Sequence, residues 1–258
     1  MMKYFILAIF CLVLGTAGLQ AATAADTTGI FGTSWHLEGR MGYDVGGTAP
    51  VGMPASIRKL NKFPLKPNLM LSGNAIRHFD ERWGMMVGIR FENKSMETDA
   101  TVKNYHMEIS KGGETLAGQF TGNVVTSVTQ WMFSLPLQAT CDLSNRLRLR
   151  MGPYLSVLTA RDFSGYAYDG YLRVDDPTGA KVNLGSESDE RGDYDFSAHM
   201  RHVQWGIGAG ADLQVTQRFG FFSDLNWGLS GIHKSDFHTV EQTLYPIYGT
   251  LGITYQMK

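Results

Sequence analysis

The chain has 258 residues, 18% of them charged, with 23 Lys+Arg against 24 Asp+Glu. That balance gives no footing for a nucleic-acid partner, which needs a basic surface. No stretch after residue 24 reaches the ~20 apolar residues of a membrane-crossing helix, yet aromatics reach 12% and glycines number 30.

The chain opens MMKYFILAIFCLVLGTAGLQAATAAD. Lys3 supplies a positive start, Tyr4 to Leu14 an apolar core too short to span a bilayer, and Ala22-Thr23-Ala24 an A-x-A cleavage site. Residues 1–24 are therefore expected to be a secretory signal peptide, and 25–258 one domain; an N-terminal anchor helix is the disfavoured alternative. Cys11 lies inside the apolar run, so it does not read as a lipidation cysteine. The mature chain keeps one cysteine, Cys141, and forms no internal disulfide. Loss of Lys3 takes 23 basic residues to 22, against 24 acidic.

Eight segments then alternate apolar and polar residues, the period-two mark of a strand with two unlike faces. In chain order they are 35–45, 68–76, 82–92, 129–139, 146–159, 202–215, 218–230 and 245–257. The second is the weakest, because Met70 and Ile76 fall on its polar face. The sixth, HVQWGIGAGADLQV, sets Val203, Trp205, Ile207 and Leu213 against Gln204, Gly206, Gly208, Gly210 and Asp212. Water-facing strands rarely carry so many glycines. Each covers about 9–13 residues, the length a tilted strand needs to cross ~25 Å of lipid.

The connectors alternate: long (46–67), short (77–81), long (93–128), short (140–145), long (160–201), short (216–217), moderate (231–244). Short periplasmic turns and long external loops are the rule for outer-membrane barrels. The expected fold is all-β: a closed, eight-stranded, antiparallel, up-and-down transmembrane barrel. Its apolar face meets lipid and its polar, glycine-rich face lines a lumen that side chains fill. The glycines give room to inward groups such as Arg148, Arg150, Tyr154 and Phe222. Trp35, Trp83, Trp131, Trp205 and Trp227 all lie on the apolar face. Trp35 and Trp83 start strands at the periplasmic end and the other three lie towards the external end, as two aromatic girdles require.

From residue 131 onward the chain resembles the PorT-like family of outer-membrane β-barrels of the Bacteroidetes. The resemblance rests on FSLPLQATCDLSNRLRLRMGPYLSVLTA (133–160), WGIGAGADLQVTQRFGFFSDLNWGLSGI and the terminal YGTLGITYQM. It implies a barrel type and no catalytic residues. The final Lys258 departs from the aromatic that ends many outer-membrane strands; Tyr255 and Met257 are the nearest substitutes.

Six charged residues on the lumen face, Glu38, Arg40, Arg148, Arg150, Asp212 and Asp224, lie near periplasmic strand ends. Three acids facing three arginines are expected to form one interior ion-pair network, since buried charges are tolerated chiefly when paired. Such a network plugs the lumen; a gated pore is the alternative. Residues 162–197 carry nine acids against Arg173, Lys181 and Arg191, with YLRVDDPTGAKVNLG reading as a hairpin turned at Asp-Pro-Thr-Gly. Calcium at ESDERGDYD is conceivable, but the spacing is not that of an EF-hand loop. An acidic surface loop bridged to lipopolysaccharide is preferred. Alternation places His36 and His202 on the lumen face and His78, His106, His199, His233 and His238 in or near connectors, with no nucleophile–base–acid grouping. No catalytic, cofactor or metal site is expected. The function expected is a plugged barrel with a structural or interaction role in the cell envelope; the resemblance allows a role accessory to secretion or envelope assembly. Its partners would be outer-membrane lipid and lipopolysaccharide. A lipid-modifying enzyme of the outer leaflet and a narrow passive channel remain the alternatives.

Overall fold

Each alternating segment needs a partner on both edges, and in the computed structural model, which describes residues 35–257 apart from 53, 177, 238 and 240–242, every one has two. The strands are β1 (Trp35–Pro50), β2 (Ile57–Lys62), β3 (Leu69–His78), β4 (Trp83–Lys111), β5 (Glu114–Asp142), β6 (Leu147–Val174), β7 (Lys181–Leu184), β8 (Gly192–Asp195), β9 (Val203–Gln214), β10 (Phe219–Gly228) and β11 (Leu244–Met257). Eight of them, β1, β3, β4, β5, β6, β9, β10 and β11, pair antiparallel in that order, and β11 returns to β1. Over the lower barrel closure pairs both edges of each of these strands, as a bilayer demands. No helix among the described residues is long and apolar enough to cross a membrane.

Burial in the lower barrel is the reverse of a soluble sandwich. Outward Leu251, Met151 and Phe221 are 66%, 60% and 58% exposed, while inward Asp44, Thr250 and Ser156 are wholly buried. An apolar exterior around a polar interior is stable only where the surrounding solvent is lipid. The weakest segment became β3, where Met70 and Ile76 do point inward and are buried.

The long connectors are not irregular loops. Residues 93–128 continue β4 and β5 into a hairpin of two 29-residue strands. They meet at Gly112-Gly113, with φ +62° and +87°, a pair of left-handed residues that a two-residue turn requires and glycine supplies without strain. At about 3.3 Å per residue such strands far outrun the ~25 Å lipid band. Similarly, β1 runs on to Pro50, 46–67 contains β2, and 160–201 continues β6 before the β6–β7 hairpin and β8. In that hairpin Arg173 pairs with Lys181 and Gly170 with Leu184. Outside the membrane the burial rule turns over again. Met107, Phe120, Phe163, Leu172, Tyr194, Phe196 and Met200 are packed inward as in a water-soluble core, and β8 spans from β6 to β4 across its top.

His233 lies in this external core, with Phe163 and Phe237 rings each 4.7 Å away. Burial, helped by nearby His199, pushes its pKa down to about 4. A base depressed in the folded state binds protons more readily when unfolded, so stability is complete above the unfolded value near 6.5 and falls as pH drops towards 4. Protection factors, which correct for the intrinsic slowing of exchange as pH falls, should therefore drop across that window for residues 196–202 and 231–237 while the membrane strands stay protected, and His233→Phe should flatten the response. Protection factors of these residues that do not change with pH in the unaltered protein would refute this.

Candidate functional site

The lumen is crossed by a continuous chain of alternating charges. It begins at Glu38, two residues below Arg40 on the inward face of β1; Arg40 Nε donates to Glu38 at 2.6 Å and its Nη2 to Asp212 at 2.9 Å. Asp212 also accepts two bonds from Arg150, from Nε at 2.8 Å and from Nη2 at 2.9 Å. The same Arg150 Nη2 reaches Asp224 at 2.5 Å, and Nη1 reaches Gln138 at 2.8 Å. Asp224 next takes Arg90 at 3.0 Å, Arg90 stands 3.8 Å from Glu92, and Glu92 accepts from Lys94 at 3.1 Å. Four acids and four bases from β1, β4, β6, β9 and β10 thus neutralise one another.

Neutral side chains occupy further positions around these charges. Asn74 and Thr254 donate to Glu38 at 3.3 Å each, and Ser134 donates to Glu92 at 2.7 Å. Asp44, a fifth buried acid, holds a short hydrogen bond from Thr250. The chain ends in a cation–aromatic stack, with Lys94 Nζ 5.7 Å from the Tyr154 ring and 5.4 Å from that of Tyr248. Ammonium over aromatic faces is a favourable electrostatic contact where water is absent.

Strand β9 shows why the polar face carries glycine. A Cβ on Gly210 would stand 2.1 Å from Asp224 Oδ1 and 2.9 Å from Arg150 Nη2; one on Gly206 would stand 2.6 Å from the Tyr154 hydroxyl. Phe222 claims space likewise, 2.9 Å from a Cβ on Gly42 and 2.6 Å from one on Gly252. An eight-stranded barrel has room for side chains and little else, so large inward groups displace Cβ atoms opposite.

Five of the six expected lumen residues, Glu38, Arg40, Arg150, Asp212 and Asp224, meet in this chain. Arg148 does not. It sits across from Asp212 in the β6–β9 register and from Asp142 in the β5–β6 register, and its guanidinium turns to the latter at the periplasmic rim, where Asp142 accepts at 2.6 and 3.2 Å and His78 stands at 3.1 Å. Arg90, Glu92, Lys94 and Asp44 belong to the site although sequence reasoning passed over them. Arg90 and Glu92 lie on the polar face of segment 82–92 but away from its periplasmic end, and Lys94 lies two residues beyond that segment, in the stretch the alternation assigns to a connector.

Two cavities lie on either side of the charged chain. One of about 920 Å³ opens at the periplasmic end, lined by Glu38, Arg148, Asp212 and the 142–147 turn. The other, of about 390 Å³, lies in the external half and is lined by residues such as Met96, Met107, Phe163 and Phe196. Arg90, Glu92, Arg150 and Asp224 line neither.

Trp35, Trp83, Trp205 and Trp227 are 44–54% exposed on the outer face, and Trp131 is half-buried against Phe91, 5.4 Å away. His36 is exposed at the rim with its ring 5.7 Å from that of His78, and His202 is exposed beside Arg161 rather than inside the lumen. His106 lies on the external part of β4, His199 stacks on Phe237, and His238 falls outside the described residues. No three metal-ligating side chains converge among the described residues; Asp193 is held by Arg191 and Asp195 caps the Ser197 amide.

A family profile described as "Outer membrane protein beta-barrel domain" matches residues 21–234. No curated protein matches the chain by sequence. Among solved structures the chain is similar to Ail, the attachment invasion locus protein of Yersinia pestis, in complex with the heparin analogue sucrose octasulfate (10% identity, 87% of this chain and 99% of that one, TM-score 0.39). It is also similar to Neisserial surface protein A (9% identity, 88% and 100%, TM-score 0.35) and to CarO2 of Acinetobacter baumannii (12% identity, 86% and 99%, TM-score 0.40).

Proposed function

Because the chain belongs to the outer-membrane protein β-barrel family, we propose that it is a plugged barrel serving a structural or interaction role in the cell envelope, accessory to secretion or envelope assembly. The observation that carries this is the charge chain from Glu38 to Lys94, which runs across the lumen and leaves Arg90, Glu92, Arg150 and Asp224 on neither cavity. Ions following the lumen would have to separate paired buried charges, at several kcal/mol for each pair broken. Within the family the PorT-like type is proposed on the 133–160 motif, with residues 1–24 as the export signal removed from a mature 25–258 barrel. Outward Trp35 and Trp83 at one end, and Trp131, Trp205 and Trp227 at the other, are proposed to sit at the two lipid interfaces. Lipopolysaccharide and outer-membrane lipid are the proposed surroundings.

Planar-bilayer recording separates this from a channel: purified barrel should give no unitary conductance steps at neutral pH, and stable steps would overturn the plug. An unchanged lipid A mass profile between cells with and without the protein is expected; a protein-dependent new species would replace the structural role with an enzymatic one. Unboiled protein should migrate differently from boiled protein on a denaturing gel, because closed barrels hold until heated. Identical mobility together with solubility in the absence of detergent would contradict the membrane barrel.

A further inference from the structure

The upper halves of β1 and β4 face each other without a backbone ladder. β1 pairs with β3 only as far as Tyr43–Leu69, and β4 with β3 only as far as Glu92–Met70. Above that, β4 next meets β2, at Asp99 to Val102. The foot of the seam is stitched by Asn68, which donates to Ser95 O at 2.9 Å and accepts from Ser95 N at 2.8 Å. Higher up, small residues face apolar ones: a Cβ on Gly47 would touch Met96 Sδ at 3.1 Å and Phe63 at 3.2 Å. Behind this seam lies the external cavity of about 390 Å³, within the usual size range of ligand pockets.

Three features define what the cavity suits. Its lining holds no charged side chain; Ile57, Met96, Val102, Met107, Val124 and Phe196 are typical of it. It stops short of the charged chain, since Lys94, Tyr154 and Tyr248, the stack at that chain's end, are not among its lining residues. Its mouth stands at the height of the external tryptophans: Gly47 pairs with Ile247 and Ile247 with Trp227 across adjacent strands, and lining residues Leu60, Phe63 and Ile247 are themselves exposed. The mouth therefore lies on the outer wall of the barrel, at the level of the external tryptophans. Beside it β2 carries Arg58, Lys59 and Lys62, all exposed and none in an ion pair among the described residues.

We propose that this lateral pocket takes one acyl chain of an anionic lipid of the outer leaflet, with the headgroup phosphate resting on Arg58, Lys59 and Lys62. An apolar cavity excludes a polar solute, and the basic strand at its lip selects an anionic amphiphile over a neutral one. The proposal deepens the envelope role above and rests on the outer-membrane reading.

The full-length barrel, reconstituted in phosphatidylcholine vesicles containing phosphatidylglycerol with a diazirine on its acyl chain, is irradiated and its labelled residues are mapped. Labelling is expected at inward Met96 and Met107 as well as at lipid-facing Leu135 and Leu155. Gly47→Leu should abolish the interior labels and keep the outer ones. The triple change Arg58→Glu, Lys59→Glu, Lys62→Glu should weaken interior labelling by the phosphatidylglycerol probe and leave that by a diazirine phosphatidylcholine unchanged. Labels at Leu135 and Leu155 with none at Met96 or Met107 would overturn the pocket proposal. So would interior labelling by a soluble diazirine alkane but not by the lipid. Absence of label from Leu135 and Leu155 instead would defeat the membrane reading on which it rests.

Discussion

Asp212→Asn is expected to destabilise the barrel by about 3–5 kcal/mol, the usual cost of removing one partner from a buried ion pair. Asp212 sits between two arginines, taking one bond from Arg40 and two from Arg150. Neutralising it leaves two guanidinium groups, whose own remaining partners are Glu38 on one side and Asp224 on the other, facing each other across an uncharged amide. Adding Arg150→Met should restore part of the loss, because the stranded charge goes with it and a methionine fills similar length. Arg148→Met should restore nothing, since that arginine is committed to Asp142. A double-mutant cycle on reversible urea unfolding into lipid vesicles measures both couplings. Arg150→Lys in the wild-type background should also be costly: a planar guanidinium bonds Asp212, Asp224 and Gln138 at once, and an ammonium lacks that fork. Equal coupling of Asp212 to Arg148 and Arg150 would refute the assigned chain.

What was legible in the sequence followed from period two. The eight crossing strands, their faces and the alternation of short and long connections all come from which residues can meet lipid, a constraint that acts on each strand locally. HVQWGIGAGADLQV could be assigned its two solvents from composition alone. The outer halves of β4 and β5 were less readable. Above the membrane one face must be apolar for a different reason, the external core, and the polar face meets water, so the pattern through 93–128 changes meaning without a break in the strand. Ion pairing was partly legible: alternation tells which charges point inward but not which carboxylate an arginine will choose. Arg148 shows the limit. It has an acid directly across from it on either side, Asp142 on β5 and Asp212 on β9, so register alone leaves two candidates and the side chain's rotamer settles on Asp142. Lys94 shows another, because its inward position needed the strand to continue past residue 92.

Leu137→Arg should cost about 2–4 kcal/mol, against roughly 0–1 kcal/mol for Leu143→Arg at the periplasmic turn. The two leucines are alike by exposure, 50% and 59%. They differ in what covers them. Leu137 lies on β5 between Cys141, which pairs with the periplasmic-end Trp83, and Trp131 near the external end, so its side chain is close to the middle of the lipid band. Leu143 is beyond the last residue of β5, Asp142, where an arginine head reaches water and headgroups. In a water-soluble barrel both substitutions would remove a similar exposed apolar patch and both would be close to neutral, since surface changes away from special features stay within about 0.5 kcal/mol. Depth therefore makes the difference, and the measurement needs no assumption about the lumen. Unfolding free energies for the two variants and for Ser186→Arg in the external segment, taken in the same vesicles, should fall in the order of distance from the mid-plane: Leu137 far below the other two. Three equal and small losses would mean that Leu137 faces water, and the outward apolar face would then need an explanation other than lipid.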